Sequence, residues 1–256
     1  MKKLLLLLLF LLNINAVRSQ IIANFAKDTS DYPNLRNRIN DQTFFLKFDT
    51  NNVDAYTKRL VLEYEIGDYT GCIRDGYEVI RLQPNSAYAY SNIGMCYCFQ
   101  KEFEKALEAL KIALKMAPDE AVNYLNLAYA EGEYEQYENA VLHLTKAIII
   151  KPDYAKAYAN RGFVKKKMGF DKEAIEDYNK AIELNPRYEE VYFNRGFAKY
   201  SLGDYAGAIA DYNKALELQP AFNCVDFYNA RADAYEKLGD AKNATLDRDS
   251  ATRLKK

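Results

Sequence analysis

Along residues 53–256, apolar side chains recur every three or four positions in short stripes. This spacing is typical of amphipathic α-helices. Two stripes with a glycine- or aspartate-containing turn between them form one unit, so the pattern predicts a series of helical hairpins. A constant step of 34 residues separates the prolines that close successive units, which are Pro84, Pro118, Pro152, Pro186 and Pro220.

Residues at the same place in each unit form registered columns, and residues 155–188 and 189–222 are identical at half of their positions. Helices approach closely where both present small side chains, so columns of small residues predict helix contacts. One such column contains Cys72, Ala106, Ala140, Ala174 and Ala208, and another contains Val79, Ala113, Ala147, Ala181 and Ala215. The second helices are predicted to end just before the prolines, at Leu82, Met116, Ile150, Leu184 and Leu218.

The repeating units cover most of the chain. Neither apolar side of one unit can be buried without a neighbour, so we predict an all-α stack of about six helix-turn-helix repeats, continuous over residues 53–256. The last unit is shifted by an insertion around Asn223 and Cys224, and its second helix is polar, as the end of a stack requires. The predicted repeats are 53–86, 87–120, 121–154, 155–188, 189–222 and 225–256.

The first 52 residues do not follow the columns. Residues 1–19 are typical of a signal peptide: Lys2 and Lys3 precede an apolar run over residues 4–12, and Ser19 offers a small side chain for cleavage before Gln20. We therefore expect an exported, periplasmic or secreted protein without a transmembrane span in its mature chain. An uncleaved anchor is the alternative. Residues 20–52 are predicted to be an N-terminal extension with turns at 30–33 and 49–52, where a short helix could cover the first repeat.

The order of aromatic, small, glycine-turn, alanine and proline positions at this period resembles the tetratricopeptide repeat. The resemblance covers about four-fifths of the chain. It implies a right-handed α-α superhelix, a solenoid whose first helices line a concave groove that binds a peptide or a partner helix. Two units depart from the family pattern. The first has Arg59, Leu60 and Gly76 at unusual positions, so we expect it to be irregular, and in the fourth Phe170 and Asp171 reverse the usual acidic–aromatic order.

The resemblance also assigns residues to the groove by register. The predicted partner-binding positions are mostly aromatic or long side chains of the first helices. Each could instead fill space between neighbouring helices, because apolar stripes at helical spacing are usually core. The positions are Tyr88, Met95, Phe99, Leu125, Tyr129, Phe163, Lys166, Lys167, Phe193, Phe197 and Tyr200.

Charge and motifs do not indicate catalysis. The net charge of −1 argues against a nucleic-acid partner, and no motif indicates a catalytic site, a metal, a cofactor or a small-molecule substrate. The single histidine, His143, shares a column with Ala109, Asp177, Asp211 and Asp247, which we expect to face solvent. The cysteines are expected to be small buried side chains; Cys96 and Cys98 point to different helix faces and cannot bridge each other.

Lys165, Lys166 and Lys167 form a basic run that could bind an anion or could be a solvated helix end. Lys199 shares the column of Lys165, which favours a structural role for that lysine. Our leading hypothesis is a non-catalytic scaffold that binds a partner protein or peptide in the groove. The alternative is a structural subunit of a cell-envelope complex that uses its convex face or its N-terminal extension.

Overall fold

The computed structural model describes residues 32–219 and 225–254. The predicted signal peptide, its cleavage site, the start of the extension, Pro220 and Cys224 lie outside them. Every regular element among the described residues is an α-helix. These helices are α1 (Tyr32–Phe48), α2 (Val53–Glu65), α3 (Tyr69–Leu82), α4 (Ala87–Phe99), α5 (Phe103–Met116), α6 (Ala121–Glu133), α7 (Tyr137–Ile150), α8 (Ala155–Lys167), α9 (Asp171–Leu184), α10 (Glu189–Ser201), α11 (Tyr205–Leu218), α12 (Val225–Lys237) and α13 (Ala241–Arg253).

The described residues group into two compact units, and each is described by itself. In the N-terminal unit, which ends at Asn160, α2 pairs with α3, α4 with α5 and α6 with α7, while α3 packs on α4 and α5 on α6. In the C-terminal unit, which begins at Arg161, α10 pairs with α11 and α12 with α13, while α9 packs on α10 and α11 on α12. The predicted all-α repeat class is confirmed, and a single stack through both units stays a prediction.

The predicted helix ends agree with the structure. All five second helices that were assigned an end stop at the predicted residue, from Leu82 to Leu218. Ser86 caps α4 by accepting a hydrogen bond from the Ala89 amide at 3.3 Å, which stabilises the free amides of the first turn. The alanines of the two small columns are fully buried, as helix contacts at small side chains require.

The N-terminal extension contains a longer helix than the sequence predicted. Pro33 lies in the first turn of α1, where its missing amide removes no hydrogen bond, so the predicted turn at 30–33 is partly helical. Helix α1 packs on α2 and ends at Phe48, which is 34 residues before Leu82. It therefore ends at the position that second helices use in the repeats.

The first repeat is a complete hairpin rather than the irregular unit that we predicted. Elsewhere a small residue on the first helix faces a large one on the second: a Cβ added to Gly94 would lie 2.5 Å from Leu110 Cγ. In the first repeat the sizes are reversed, since Leu60 on α2 is fully buried. A Cβ on Gly76 would lie 2.5 Å from Ile93 Cγ1 of α4 and 3.3 Å from Leu60 Cδ1. The exchange of sizes keeps the contact filled.

Candidate functional site

Four repeats place an arginine of the first helix against an aspartate of the second. The guanidinium donates two hydrogen bonds to the carboxylate; in Arg195 and Asp211 the Nε–Oδ2 and Nη2–Oδ1 distances are 2.8 and 2.6 Å. We name this set the Arg–Asp ladder. Its pairs are Arg59–Asp75, Arg161–Asp177, Arg195–Asp211 and Arg231–Asp247.

The prediction that the aspartate column faces solvent is wrong. Asp177 and Asp211 are each 4 % exposed and Asp247 is 5 % exposed. Burial of a carboxylate is unfavourable unless donors satisfy it, and the paired guanidinium supplies two of them in parallel. The ladder is therefore an internal feature of the hairpins and not a binding surface.

The ladder also joins neighbouring helix pairs through the remaining guanidinium nitrogen. Arg195 Nη1 donates to Asn179 Oδ1 of α9 at 2.6 Å, and Arg231 Nη1 donates to Asn213 Oδ1 of α11 at 2.7 Å. In the N-terminal unit Arg59 Nη1 donates to Thr43 Oγ1 of α1 at 3.0 Å. Helix α1 thus makes the contact that a preceding second helix makes in the repeats.

His143 is part of this internal network and is not the solvent-facing residue that we predicted. Its side chain is 22 % exposed, and its Nδ1 lies 2.7 Å from Oε2 of the buried Glu131. The third repeat has Leu127 where other repeats have the ladder arginine, and the second repeat has the apolar pair Ile93 and Ala109. His143 therefore takes the structural place of a ladder aspartate.

Glu63 in the first repeat is buried beside two arginines. Its Oε1 lies 2.7 Å from Arg74 Nη2 and 3.8 Å from Arg59 Nε, and its Oε2 has no hydrogen-bond partner. Desolvation, followed by the charge of Asp75, raises the pKa of Glu63 to about 7. The side chain consequently changes its charge near neutral pH.

The basic run has three separate environments instead of forming an anion site. Lys165 Nζ lies 2.8 Å from Asp177 Oδ2, as Lys199 Nζ does from Asp211, so both lysines belong to the ladder. Lys166 Nζ lies 5.6 Å from the Phe197 ring centroid, and Lys167 Nζ lies 5.3 Å from that of Phe163. Burial lowers the pKa of Lys166. Both side chains are placed for cation–π contacts.

In the N-terminal unit the predicted groove residues differ in exposure. Tyr88 is 53 % exposed and Leu125 is buried, so Leu125 is a packing residue. Met95 and Tyr129 are half-buried against the core that α4, α5 and α6 form. Phe99 joins a ring cluster in which its centroid lies 5.1 Å from Tyr69, 5.7 Å from Tyr64 and 6.1 Å from Tyr129.

In the C-terminal unit two predicted groove residues, Phe193 and Phe197, lie in a second ring cluster. Phe193 and Phe197 have centroids 4.8 Å apart in an edge-to-face arrangement, and Phe193 stacks on Phe227 at 5.6 Å. Phe163, Phe193, Phe197 and Tyr200 are all half-buried. Tyr200 lies 5.2 Å from Tyr205, the first residue of α11. These rings are therefore partly packed and partly exposed.

Several members of both ring clusters lie outside the positions that the register predicted. Tyr69 and Tyr205 open second helices, and Tyr212 comes from the buried side of α11 with its centroid 5.7 Å from Phe197. For Tyr69 and Tyr205 the signal was present in the sequence, because an aromatic residue also opens the second helices at Phe103 and Tyr137. We had assigned only first-helix residues to the groove, so these rings were not included.

Metal clusters and membrane-spanning helices are both absent from the described residues. Within residues 32–219 and 225–254, no cluster of three or more histidine, cysteine, aspartate or glutamate side chains is arranged to hold a metal ion. In the same ranges, none of the helices combines the length and the hydropathy needed to cross a bilayer.

Comparisons with known families identify the class of the chain. The family described as "TPR repeat" matches residues 133–169 and 171–203, and the one described as "Tetratricopeptide repeat" matches residues 87–120 and 189–222. The chain is a tetratricopeptide repeat protein, as its sequence predicted. Repeats of this kind form stacked interaction surfaces, so the protein belongs to a class of protein-interaction scaffolds. A search of curated sequences found no match.

Solved structures with similar folds support the assignment. A crystal structure of MamA is 26% identical, with a TM-score of 0.57, and the match covers 64% of this chain and 94% of MamA. PilF of Pseudomonas aeruginosa is 20% identical (TM-score 0.71; 79% and 91% covered). Cut9, in the Cut9–Hcn1 hetero-tetramer of the APC/C, is 16% identical (TM-score 0.76; 91% and 45% covered). The last two show the fold alone.

Proposed function

We propose that the protein is a non-catalytic scaffold that binds a peptide or a helix of a partner protein on the face formed by its first helices. One observation supports this most directly: aromatic rings from successive first helices meet in each unit, Tyr64, Phe99 and Tyr129 in the N-terminal unit and Phe193 and Phe227 in the C-terminal unit. Such rings offer large apolar area at small entropic cost, which is typical of anchor sites in protein interfaces.

The composition of the face suggests the chemistry of the partner segment. In the C-terminal unit, Phe163, Phe197 and Tyr200 are half-buried, Lys166 lies over the Phe197 ring and Lys167 lies over the Phe163 ring. Apolar side chains of a partner would bury these rings further, by about 25 cal/mol for each Å² removed from water. We expect few fixed ion pairs, so binding should depend weakly on salt.

Site-specific photocrosslinking tests which face contacts a partner. A photoreactive phenylalanine replaces Tyr88 or Tyr200 on the first-helix face, or Ile149 or Leu246 on second helices, where both residues are more than half exposed. Crosslinks to a partner at Tyr88 or at Tyr200, but not at the second-helix positions, are the expected result. Crosslinks only at Ile149 or Leu246 would refute binding on the first-helix face.

A triple alanine variant of Phe193, Phe197 and Tyr200 provides a second test by pull-down. The expected result is loss of the partner that the wild-type protein recovers. Because these rings also pack in the core, circular dichroism must show that the variant remains helical. The matched control is Leu238→Ala/Leu246→Ala, which removes two exposed side chains elsewhere in the same unit. Equal recovery by the triple variant and the control would contradict the proposal.

A structural role in a larger complex, through the N-terminal extension, is the second candidate. Helix α1 exposes Phe44, Phe45 and Phe48, and Phe48 is 77 % exposed. The Phe44 and Phe48 rings lie 4.9 Å apart, so they form a continuous apolar patch. A photoreactive residue at Phe48 that labels the partner, without labelling from Tyr88 and Tyr200, would favour this role.

Export is part of the proposal, on the sequence features of residues 1–19. The mature protein should begin at Gln20 and should be recovered outside the cytoplasm. N-terminal sequencing after expression of the full chain in a bacterium measures the first point, and fractionation measures the second. A full-length protein retained in the cytoplasm would contradict export.

A further inference from the structure

Two buried thiols meet where the first repeat packs on the second. Cys72 lies on α3 and Cys96 on α4, and both side chains are fully buried. The Cys96 thiol donates to Cys72 Sγ, with the two sulfur atoms 2.7 Å apart. A disulfide bond is about 2.05 Å long, so bond formation requires the sulfurs to move together by roughly 0.7 Å.

The repeat architecture explains why the two sulfurs are so close. Cys72 stands in the column of Ala106 and Ala208, and Cys96 stands in the column of Ala130 and Ala234. These alanines are fully buried, and each pair lies in one core cluster, between α5 and α6 or between α11 and α12. Helices cross closely where both side chains are small. Sulfur on both sides of one such crossing brings the two atoms into contact.

We propose that Cys72 and Cys96 form a disulfide bond that covalently joins the first repeat to the second under oxidising conditions. The oxidant is a disulfide such as oxidised glutathione. The Cys72 thiolate attacks one glutathione sulfur, forming a mixed disulfide and releasing one glutathione thiolate. The Cys96 thiolate then attacks the Cys72 sulfur, forming the Cys72–Cys96 bond and releasing the second. The two protons of the thiols pass to the two released glutathione molecules.

Burial determines when this reaction takes place. The contact with Cys96, followed by desolvation, raises the pKa of the Cys72 thiol, and the thiolate is the nucleophile. Oxidation therefore takes place during folding or when α3 and α4 separate, and the closed core then protects the bond from reductants. Tyr64 and Tyr69 pack against Leu60, Cys72 and Cys96. Tyr69 stacks on Phe99, and Tyr64 meets Phe99 edge-to-face. The bond would thus also hold the ring cluster of Tyr64, Tyr69 and Phe99 in place.

The test uses the full-length chain with Cys98→Ala and Cys224→Ala, which leaves only the pair. The matched control is Cys72→Ala/Cys96→Ala. It has alanine at both positions, as the next repeat has at Ala106 and Ala130. Both proteins are refolded from urea with oxidised and reduced glutathione, then denatured and treated with a maleimide. The pair-only protein should resist alkylation, its mass should be lower by two hydrogen atoms, and a single peptide should contain Cys72 joined to Cys96.

Thermal unfolding gives a second readout. Closing a loop of this length should raise the midpoint of the pair-only protein by on the order of 10 °C relative to the same protein in reductant. The control should show no such shift. Two alkylated thiols in the pair-only protein, or glutathione adducts as its main product, would overturn the proposal. So would a wild-type peptide map in which Cys72 is joined to Cys98 or Cys224.

Discussion

The Arg–Asp ladder allows a quantitative prediction of the stability that the fifth repeat loses when its aspartate is removed. Asp211 accepts from Arg195 at 2.6 and 2.8 Å and lies 2.8 Å from Lys199 Nζ, while its side chain is only 6% exposed. Asp211→Ala leaves the guanidinium and the ammonium without their shared partner. Removal of one member of a buried ion pair costs about 3–5 kcal/mol. The free energy of unfolding of the variant should therefore be lower by that amount, and the variant should unfold at a lower urea concentration.

The chain itself supplies the compensating substitution. The second repeat has Ile93 and Ala109 at the positions of Arg195 and Asp211, and both side chains are buried there. Arg195→Ile/Asp211→Ala copies that pair, and an apolar replacement of a buried ion pair is often neutral. We expect the double variant to lose about 2 kcal/mol less than the sum of the two single losses. Lys199, which is 22% exposed on its side chain, can then extend into water.

Urea titration followed by circular dichroism measures the free energy of unfolding of the wild type, Asp211→Ala, Arg195→Ile and the double variant. Arg195→Ile alone should cost less than Asp211→Ala, because Lys199 remains on the carboxylate. Additive losses in the double variant, or a loss below about 1 kcal/mol for Asp211→Ala, would refute the reasoning, since exposed pairs contribute no more than that.

Three further predictions concern single contacts. The folded-state pKa of Glu63, about 7, is above its usual value of 4.5, so the folded chain holds a proton that the unfolded chain loses. Stability should fall by about 3 kcal/mol as pH rises from 4.5 to 7, and Glu63→Gln should remove this slope. Phe170→Asp/Asp171→Tyr should stabilise α9 by about 1 kcal/mol, because Phe170 makes no side-chain cap and Asp171 Oδ1 is buried without a partner. Gly196→Ala should cost about 1–3 kcal/mol, because its Cβ would lie 2.6 Å from Tyr212 Cε1, and Tyr212→Leu should recover most of the loss.

Each of these predictions has its own control. Urea unfolding at several pH values compares Glu63→Gln with the wild type, and parallel pH profiles would contradict the assignment. For α9 the reference is Asp204, which caps α11 by accepting from the Gly207 amide at 2.9 Å; an unchanged unfolding midpoint in the swapped variant would count against the cap argument. A stabilised Gly196→Ala protein would show that the Tyr212 ring can move away.

The helix pattern could be predicted from the sequence because the repeat period places the same helix boundaries in successive units. Helices α3 and α11 end at Leu82 and Leu218 as predicted, since proline two residues later fixes each end. The alanine columns also predicted the buried helix contacts, because they recur at the same period. The start of α6 has no such signal: the cap position is Glu120, and its side chain makes no cap hydrogen bond.

The buried carboxylates could not be predicted from their own column. An aspartate such as Asp211 is usually exposed, and the arginine that makes its burial possible lies 16 residues away on another helix. The two columns do change together, however: the second repeat has Ala109 in the aspartate column and Ile93 in the arginine column. Leu60 and Gly76 also change together. Reading columns in pairs would have found both features, whereas the groove residues required knowledge of burial, as Leu125 shows.

The reversed sizes at Leu60 and Gly76 bear on how the chain avoids misassembly. Neighbouring repeats are so alike that a first helix could close on the second helix of another repeat, within one chain or between two chains. Such an exchange is unfavourable for helix α2, because Leu60 would overpack against Leu110 or Tyr178, at a cost of about 1–3 kcal/mol. The exchange of sizes therefore favours pairing of α2 with its own second helix, and this helps to set the register of the later repeats.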